Sequence, residues 1–247
     1  MIEQLGKHSD WDPVEQRGNP VASPLVRGYL ANAQEEQRRG GVSVKQAPPL
    51  VASQLQKLIG DMRRRVPALP TAAERFAMVR YVAIFCVAFH TMKRAFELSA
   101  ALASQVLQMP RGEGFIFNFL LGKTLRESSQ AVVVRRNVEC REICAVAAMI
   151  EYRQAAESMQ WALAEDSGFL FPSVLESGDK GKMALTPAHM TSNLQVHLRA
   201  AGMEHKRYSL HSFRVGGAAS HHMDGTAMDI LMEYVGWRSA AVASRYV

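Results

Sequence analysis

The amino-acid sequence predicts a mostly α domain (α+β) that carries one small antiparallel β-sheet, and three observations predict it. Apolar residues recur at helical spacing through most of the chain from Leu50 onward. Only two short stretches, Gly114 to Leu121 and Ala131 to Arg135, have strand character, and the polar, glycine-led Gly122-Lys123-Thr124-Leu125-Arg126 between them reads as a hairpin connection. With 247 residues, 48% of them hydrophobic, the chain can bury the core of one large domain or two modest ones.

The elements follow in order. Residues 1 to about 48 are polar and punctuated by Pro13, Pro20, Pro24, Gly40, Gly41, Pro48 and Pro49, a lead-in with one short helix, Pro24 to Arg39. Ser23 is placed to cap that helix, Pro24 suits its first position, and Gly40-Gly41 ends it. The main domain begins with an amphipathic helix, Leu50 to Arg65, and a largely buried one, Thr71 to Thr91. A helix from Arg94 to Leu102 should hold Leu98 and Leu102 on one face, ahead of the two strands, with Lys123 projecting at their turn. The remainder reads as helices: Glu139 to Ala164, Thr186 to Ala201, Leu210 to Met223, Thr226 to Val235, and Ser239 to the end. Gly168, Pro172, Gly178, Gly202, Gly225 and Gly236 separate them.

A formal net charge of +6 favours an acidic partner, and a polyphosphate backbone is the commonest one that matches dispersed Lys and Arg. The cysteines, Cys86, Cys140 and Cys144, are odd in number in a chain too large to need disulfide staples, which points to a reducing, intracellular setting. Cys140 and Cys144 stand four apart on an expected helix, but no second Cys/His pair at zinc spacing accompanies them, so they read as structural thiols. His221 and His222 are adjacent and point differently on a helix, which suits a surface rather than a metal. Acidic residues are scattered, with no compact set of the kind that holds two Mg²⁺ ions. Neither a signal peptide nor a spanning segment is evident, since the longest apolar run, Tyr81 to Phe89, is too short. The expectation is a protein without cofactor, metal, membrane or small-molecule substrate.

The densest chemical signal is Ser209-Leu210-His211-Ser212-Phe213-Arg214-Val215-Gly216-Gly217. His211 and Arg214, at i and i+3, put an imidazole and a guanidinium on one helical face, where both can approach one phosphate. Gly216-Gly217 permits a close backbone approach. Gly236-Trp237 follows, and Tyr246 stands nine positions after the tryptophan within Ser244-Arg245-Tyr246-Val247.

The segment His211 to Tyr246 resembles the C-terminal signature of the tyrosine recombinase (phage integrase) family: His-x-x-Arg, then Gly-His or Gly-Trp, then a nucleophilic tyrosine. Arg94-Ala95-Phe96-Glu97-Leu98 resembles that family's Arg-x-x-Glu-Leu motif, and Lys123 lies in the sheet turn where the family places a catalytic lysine. The resemblance covers roughly residues 50 to 247. It implies a multihelical catalytic domain over 49–247 and, in the 1–48 lead-in, a remnant of the family's preceding helical DNA-binding domain. It also implies a 3′-phosphotyrosine intermediate formed by Tyr246 on duplex DNA, with neither metal nor ATP, and a homotetrameric synapse. Arg94 and Arg214 would stabilise the phosphorane, His211 shuttle the proton, Lys123 protonate the departing 5′ oxygen, Trp237 donate its indole N–H, and Glu97 buttress Arg94.

The family normally continues past its tyrosine into a segment that packs on a neighbouring subunit, whereas this chain ends one residue later, leaving open that it is a fragment. Three rivals stay open: a type IB topoisomerase-like enzyme that relaxes DNA without exchange, a catalytically silent DNA-binding remnant of a mobile element, and an unrelated helical interaction module. The location is with DNA, in the nucleus for a mobile element of a nucleated cell and otherwise in the cytoplasm with the nucleoid.

Overall fold

The computed structural model describes residues 12, 23–39, 47–119, 130–161, 163, 168–175, 178–237 and 239–244. The chain divides into two compact units, Met1–Gln46 and Ala47–Val247. In the first, helix α1 spans Pro24–Arg39 and leaves Leu25, Tyr29 and Leu30 exposed.

The second unit is built around one helix. Helix α2 (Ala52–Arg65) buries Leu55, Leu58, Ile59 and Met62 on one side, and α3 (Ala72–Thr91), past its exposed first turn, is largely apolar all round and from Arg80 to Phe89 buried on every face. Its start is fixed by a reciprocal cap: Thr71 Oγ1 accepts from the Glu74 N–H at 3.1 Å, and the Glu74 carboxylate accepts from the Thr71 N–H at 3.0 Å. Around α3 lie α5 (Ala145–Ser158) and α7 (Leu210–Met223), with the Phe85 and Phe213 rings stacked at 5.3 Å. Two glycines let α7 come this close. A Cβ on Gly216 would stand 1.9 Å from the Leu50 carbonyl oxygen, and one on Gly217 would stand 2.3 Å from that of Phe89. The close approach expected of this pair is therefore made to the protein's own backbone.

After the short α4 (Ala95–Ser99) comes a three-stranded antiparallel sheet: β1 (Val106–Gln108), β2 (Gly114–Phe119) and β3 (Gln130–Arg135), in that spatial order. Phe119 and Gln130 are register partners at the mouth of the β2–β3 connection. A two-stranded sheet, β4 (Pro172–Val174) with β5 (Lys180–Ala184), precedes α6 (Pro187–Ala200). Beyond α7, α8 (Met228–Val235) and α9 (Ala240–Ala243) close a second apolar cluster of Met92, Ala218, Leu231, Val235, Trp237 and Ala243. No described helix is long and apolar enough to cross a membrane.

The mostly α architecture with a small antiparallel sheet is as expected, with four departures. The helix expected from Arg94 to Leu102 stops at Ser99, because Leu102 bridges Phe169 and the Leu170 N–H donates to the Ala101 carbonyl at 2.7 Å, holding the chain extended. The helix expected from Glu139 to Ala164 is shorter at both ends. At its start the Asn137 side chain accepts from the Cys140 N–H at 2.8 Å, a local bond that competes with helix. Cys140 and Cys144 thus flank a short 3₁₀ turn and do not share a helix. At the other end Gln160 takes a left-handed conformation (φ 61°) that turns Trp161 into the core against Phe76. Strands β1, β4 and β5 were not expected at all.

Candidate functional site

The site is organised by three consecutive residues at the end of α3. Met92 is left-handed (φ 50°), so the chain turns sharply and Met92, Lys93 and Arg94 face different elements. The Met92 carbonyl oxygen accepts from Arg214 Nη1 at 2.6 Å. Lys93 is 2% exposed, and its ammonium donates to Gln130 Oε1 and, at 3.4 Å, to the Tyr234 carbonyl oxygen. Arg94 is the N-cap residue of α4. Its backbone N–H donates to Glu97 Oε2 at 2.7 Å, and its guanidinium pairs with Glu97 Oε1 at 3.2 Å.

Helix α7 brings the other two polar groups. Ser209 Oγ accepts from the His211 N–H at 3.3 Å and starts the helix, which places His211 at the exposed rim and Arg214 one turn deeper. Arg214 is 1% exposed, and its guanidinium lies over the Trp237 ring, 5.6 Å from the centroid. Trp237 gets there because α8 ends on Gly236 in a left-handed conformation (φ 77°), with the Trp237 N–H donating back to the Met232 carbonyl at 2.8 Å.

The electrostatics show that these residues sense one another. Partial burial, and then the charges of Arg214 and Arg94, hold the His211 imidazole below its ordinary pKa of 6.5, so it is mainly neutral at neutral pH. Lys93 is pushed down to about 8, chiefly by burial. Glu97 opposes that shift, while Arg214 and Arg94 add to it. Glu97 is the carboxylate that pairs with Arg94 and whose charge favours the ammonium of Lys93. Three cationic side chains, Lys93, Arg94 and Arg214, beside a neutral imidazole in a partly dry site are suited to an oxyanion with several acceptor oxygens.

Of the residues singled out in the sequence, Arg94, Glu97, His211, Arg214 and Trp237 come together. Lys123 and Tyr246 lie outside the described residues. Lys93, Gln130 and the Met92 carbonyl were not anticipated. A signal for Lys93 existed, since a lysine directly after a largely buried helix has no obvious route to water. No group of His, Cys, Asp and Glu able to hold a metal occurs among the described residues. A mostly apolar cavity of about 530 Å³ lies on another side of Met92, bounded by His90, Val134, His221, Leu231 and Tyr234.

Solved structures share this fold. The chain is similar to XerA recombinase (TM-score 0.57, 20% identity, over 80% of this chain and 59% of that one). It is also similar to XerH site-specific recombinase bound to difH substrate (TM-score 0.56, 16% identity, 80% and 49%) and to lambda integrase bound to DNA (TM-score 0.53, 15% identity, 90% and 72%). The fold is that of the tyrosine recombinases. This chain spans about half to three-fifths of the length of the two Xer recombinases. No family model and no curated protein matches the sequence.

Proposed function

We propose that this chain is the catalytic part of a site-specific DNA recombinase or integrase, which cleaves and rejoins duplex DNA through a 3′-phosphotyrosine on Tyr246. The observation that carries the reading is the convergence of Arg94, His211 and Arg214 on one site, with Glu97 holding Arg94 and the Trp237 ring against Arg214. The fold shared with DNA-bound recombinases supports it.

In this reading a Tyr246 Oη–phosphorus bond forms as the bond from phosphorus to the 5′ oxygen breaks. A tyrosine hydroxyl, with a pKa of about 10, is a poor nucleophile until cations stabilise its phenolate or a base takes its proton. His211, kept neutral by its surroundings, takes the phenolic proton. Arg94 and Arg214 stabilise the charge that builds on the non-bridging oxygens, and Glu97 fixes the guanidinium of Arg94. Lys123 gives a proton to the departing 5′ oxygen, and the Trp237 indole donates to a phosphate oxygen while its ring supports Arg214. The 3′-phosphotyrosine keeps the phosphodiester's energy, so the step needs no ATP, and rejoining to another strand reverses it. Four copies around two duplexes would make the complete synapse.

Covalent trapping tests this. The protein is incubated with nicked suicide duplexes from its native flanking DNA, in EDTA, beside Tyr246→Phe. A denaturation-resistant adduct absent from the variant is expected. Tight binding without an adduct would leave a DNA-binding protein and no strand-transfer enzyme, and supercoil relaxation without recombinant product would make it a topoisomerase.

A further inference from the structure

Lys93 has no part in the chemistry just described, yet it is among the largest fully buried side chains in the protein. A buried ammonium is costly to desolvate and persists only where its protons are used. Its surroundings show how they are used. Gln130 Oε1, at the first residue of β3, accepts from it, and the Phe119 ring, at the last residue of β2, lies 5.6 Å from Nζ. Phe119 and Gln130 are the two ends of the connection that contains Lys123, and one side chain touches both.

The grip has a third point. The Gln130 amide donates to the carbonyl oxygens of Glu233 at 2.9 Å and Tyr234 at 3.1 Å, and Lys93 Nζ also reaches Tyr234. These are carbonyls of the last turn of α8, of which that of Glu233 also accepts from the Gly236 N–H at 3.2 Å, and a cation there is favoured by the helix dipole. Lys93 is covalently next to Arg94, and Met92 on its other side holds Arg214. The mouth of the connection is therefore referenced to the same three-residue junction that sets both arginines.

We infer that Lys93 is a positioning residue: with Gln130 it fixes the two ends of the β2–β3 connection against the Met92–Arg94 junction, and the general-acid step assigned to Lys123 depends on that grip. This rests on the reading of Lys123 as the general acid. Burial pushes Lys93 down only to about 8, so near neutral pH it keeps the ammonium that donates to both acceptors.

The test exploits leaving-group chemistry. A 5′-bridging phosphorothiolate expels a thiolate, which leaves without a proton, so its cleavage does not depend on where the general acid stands. Single-turnover cleavage is measured on oxygen and sulfur suicide duplexes with the full chain, Lys93→Met, and Gln130→Leu. The last changes a half-buried residue and leaves the core intact. Both variants should lose about 10²-fold on the oxygen substrate, within the range of a general acid's contribution. On the sulfur substrate they should stay within about threefold of wild type, with DNA affinity unchanged. Equal losses on both substrates would reduce Lys93 to an ordinary structural residue and overturn the inference, as would no loss on either. An inert wild-type protein on both substrates would refute the strand-transfer reading itself, and the positioning role with it.

Discussion

Replacing Gly217 with alanine should destabilise the protein, against the expectation from helix propensity. Alanine is favoured over glycine in a helix interior by about 1 kcal/mol, so a local argument predicts a gain. The packing predicts the reverse. The new Cβ would stand 2.3 Å from the Phe89 carbonyl oxygen and 2.9 Å from Met92 Cγ, so α7 and the end of α3 must separate by roughly 1 Å to restore ordinary contact. Neither α3 nor α7 can yield locally, because the first is buried on every face from Arg80 to Phe89 and the second is also crossed by Leu50, whose N–H donates to the Ser212 carbonyl at 3.0 Å. Overpacking of a rigid core costs about 1–3 kcal/mol, occasionally more, and against backbone the upper end is expected. For a domain of this size about 1–3 kcal/mol is about 2–12 °C in Tm. Gly60→Ala is the internal control, because its Cβ would meet only Arg64 Nη1 at 3.7 Å in an amphipathic helix, and it should gain up to about 1 kcal/mol. Thermal and urea unfolding of both variants decide the matter. A Gly217→Ala protein as stable as its parent would refute the argument that this contact fixes the seat of α7.

Three further outcomes are expected. Arg214→Lys should lower single-turnover DNA cleavage about 10²- to 10³-fold, because an ammonium cannot combine the bond to the Met92 carbonyl, the stack on Trp237 and donation to a phosphate; near-normal rates would remove Arg214 from the site. Cleavage should fall with acidity only below pH 6.5, since His211 accepts a proton when neutral and its pKa is lowered; a midpoint at or above 6.5, or the same acid limb in His211→Gln, would speak against that role. Stability should also drop as pH falls from 6.5 towards about 4, the window in which unfolded His90 and His197 bind protons that the folded state resists. His197 lies among the Tyr81 and Phe85 rings with neither ring nitrogen bonded to a described residue, so His197→Phe should remove about half of that slope, and urea midpoints across the window measure it.

What could be read from the sequence was local. Helix α7 runs from Leu210 to Met223 as expected because its cap, Ser209, and its stop, Gly225, stand beside it in the chain. The Arg94–Glu97 pair was legible because i, i+3 spacing puts the two side chains together in any helical turn. The partners of Lys93 were not, since Gln130 and Tyr234 stand 37 and 141 residues away. The pairing of β4 with β5 was hidden for a related reason. Lys180-Gly181-Lys182-Met183-Ala184 has little strand character, and Gly181 serves there by its missing side chain, whose Cβ would stand 2.1 Å from Ser173 Oγ. The turn at Cys140 was lost because a single Asn137 side chain decided it.

Beside the side chains of Gln130 and Glu97, three acceptors around the Met92–Arg94 junction are main-chain carbonyls: Met92 for Arg214, Glu233 for Gln130, and Tyr234 for Gln130 and Lys93. A carbonyl is present whatever the side chain, so half of each of these carbonyl contacts is immune to substitution. Sequence drift at 92, 233 and 234 should then be tolerated as far as packing allows, while drift at 93, 130 and 214 removes the donors. Libraries randomised at the two sets of positions would yield active proteins at very different frequencies.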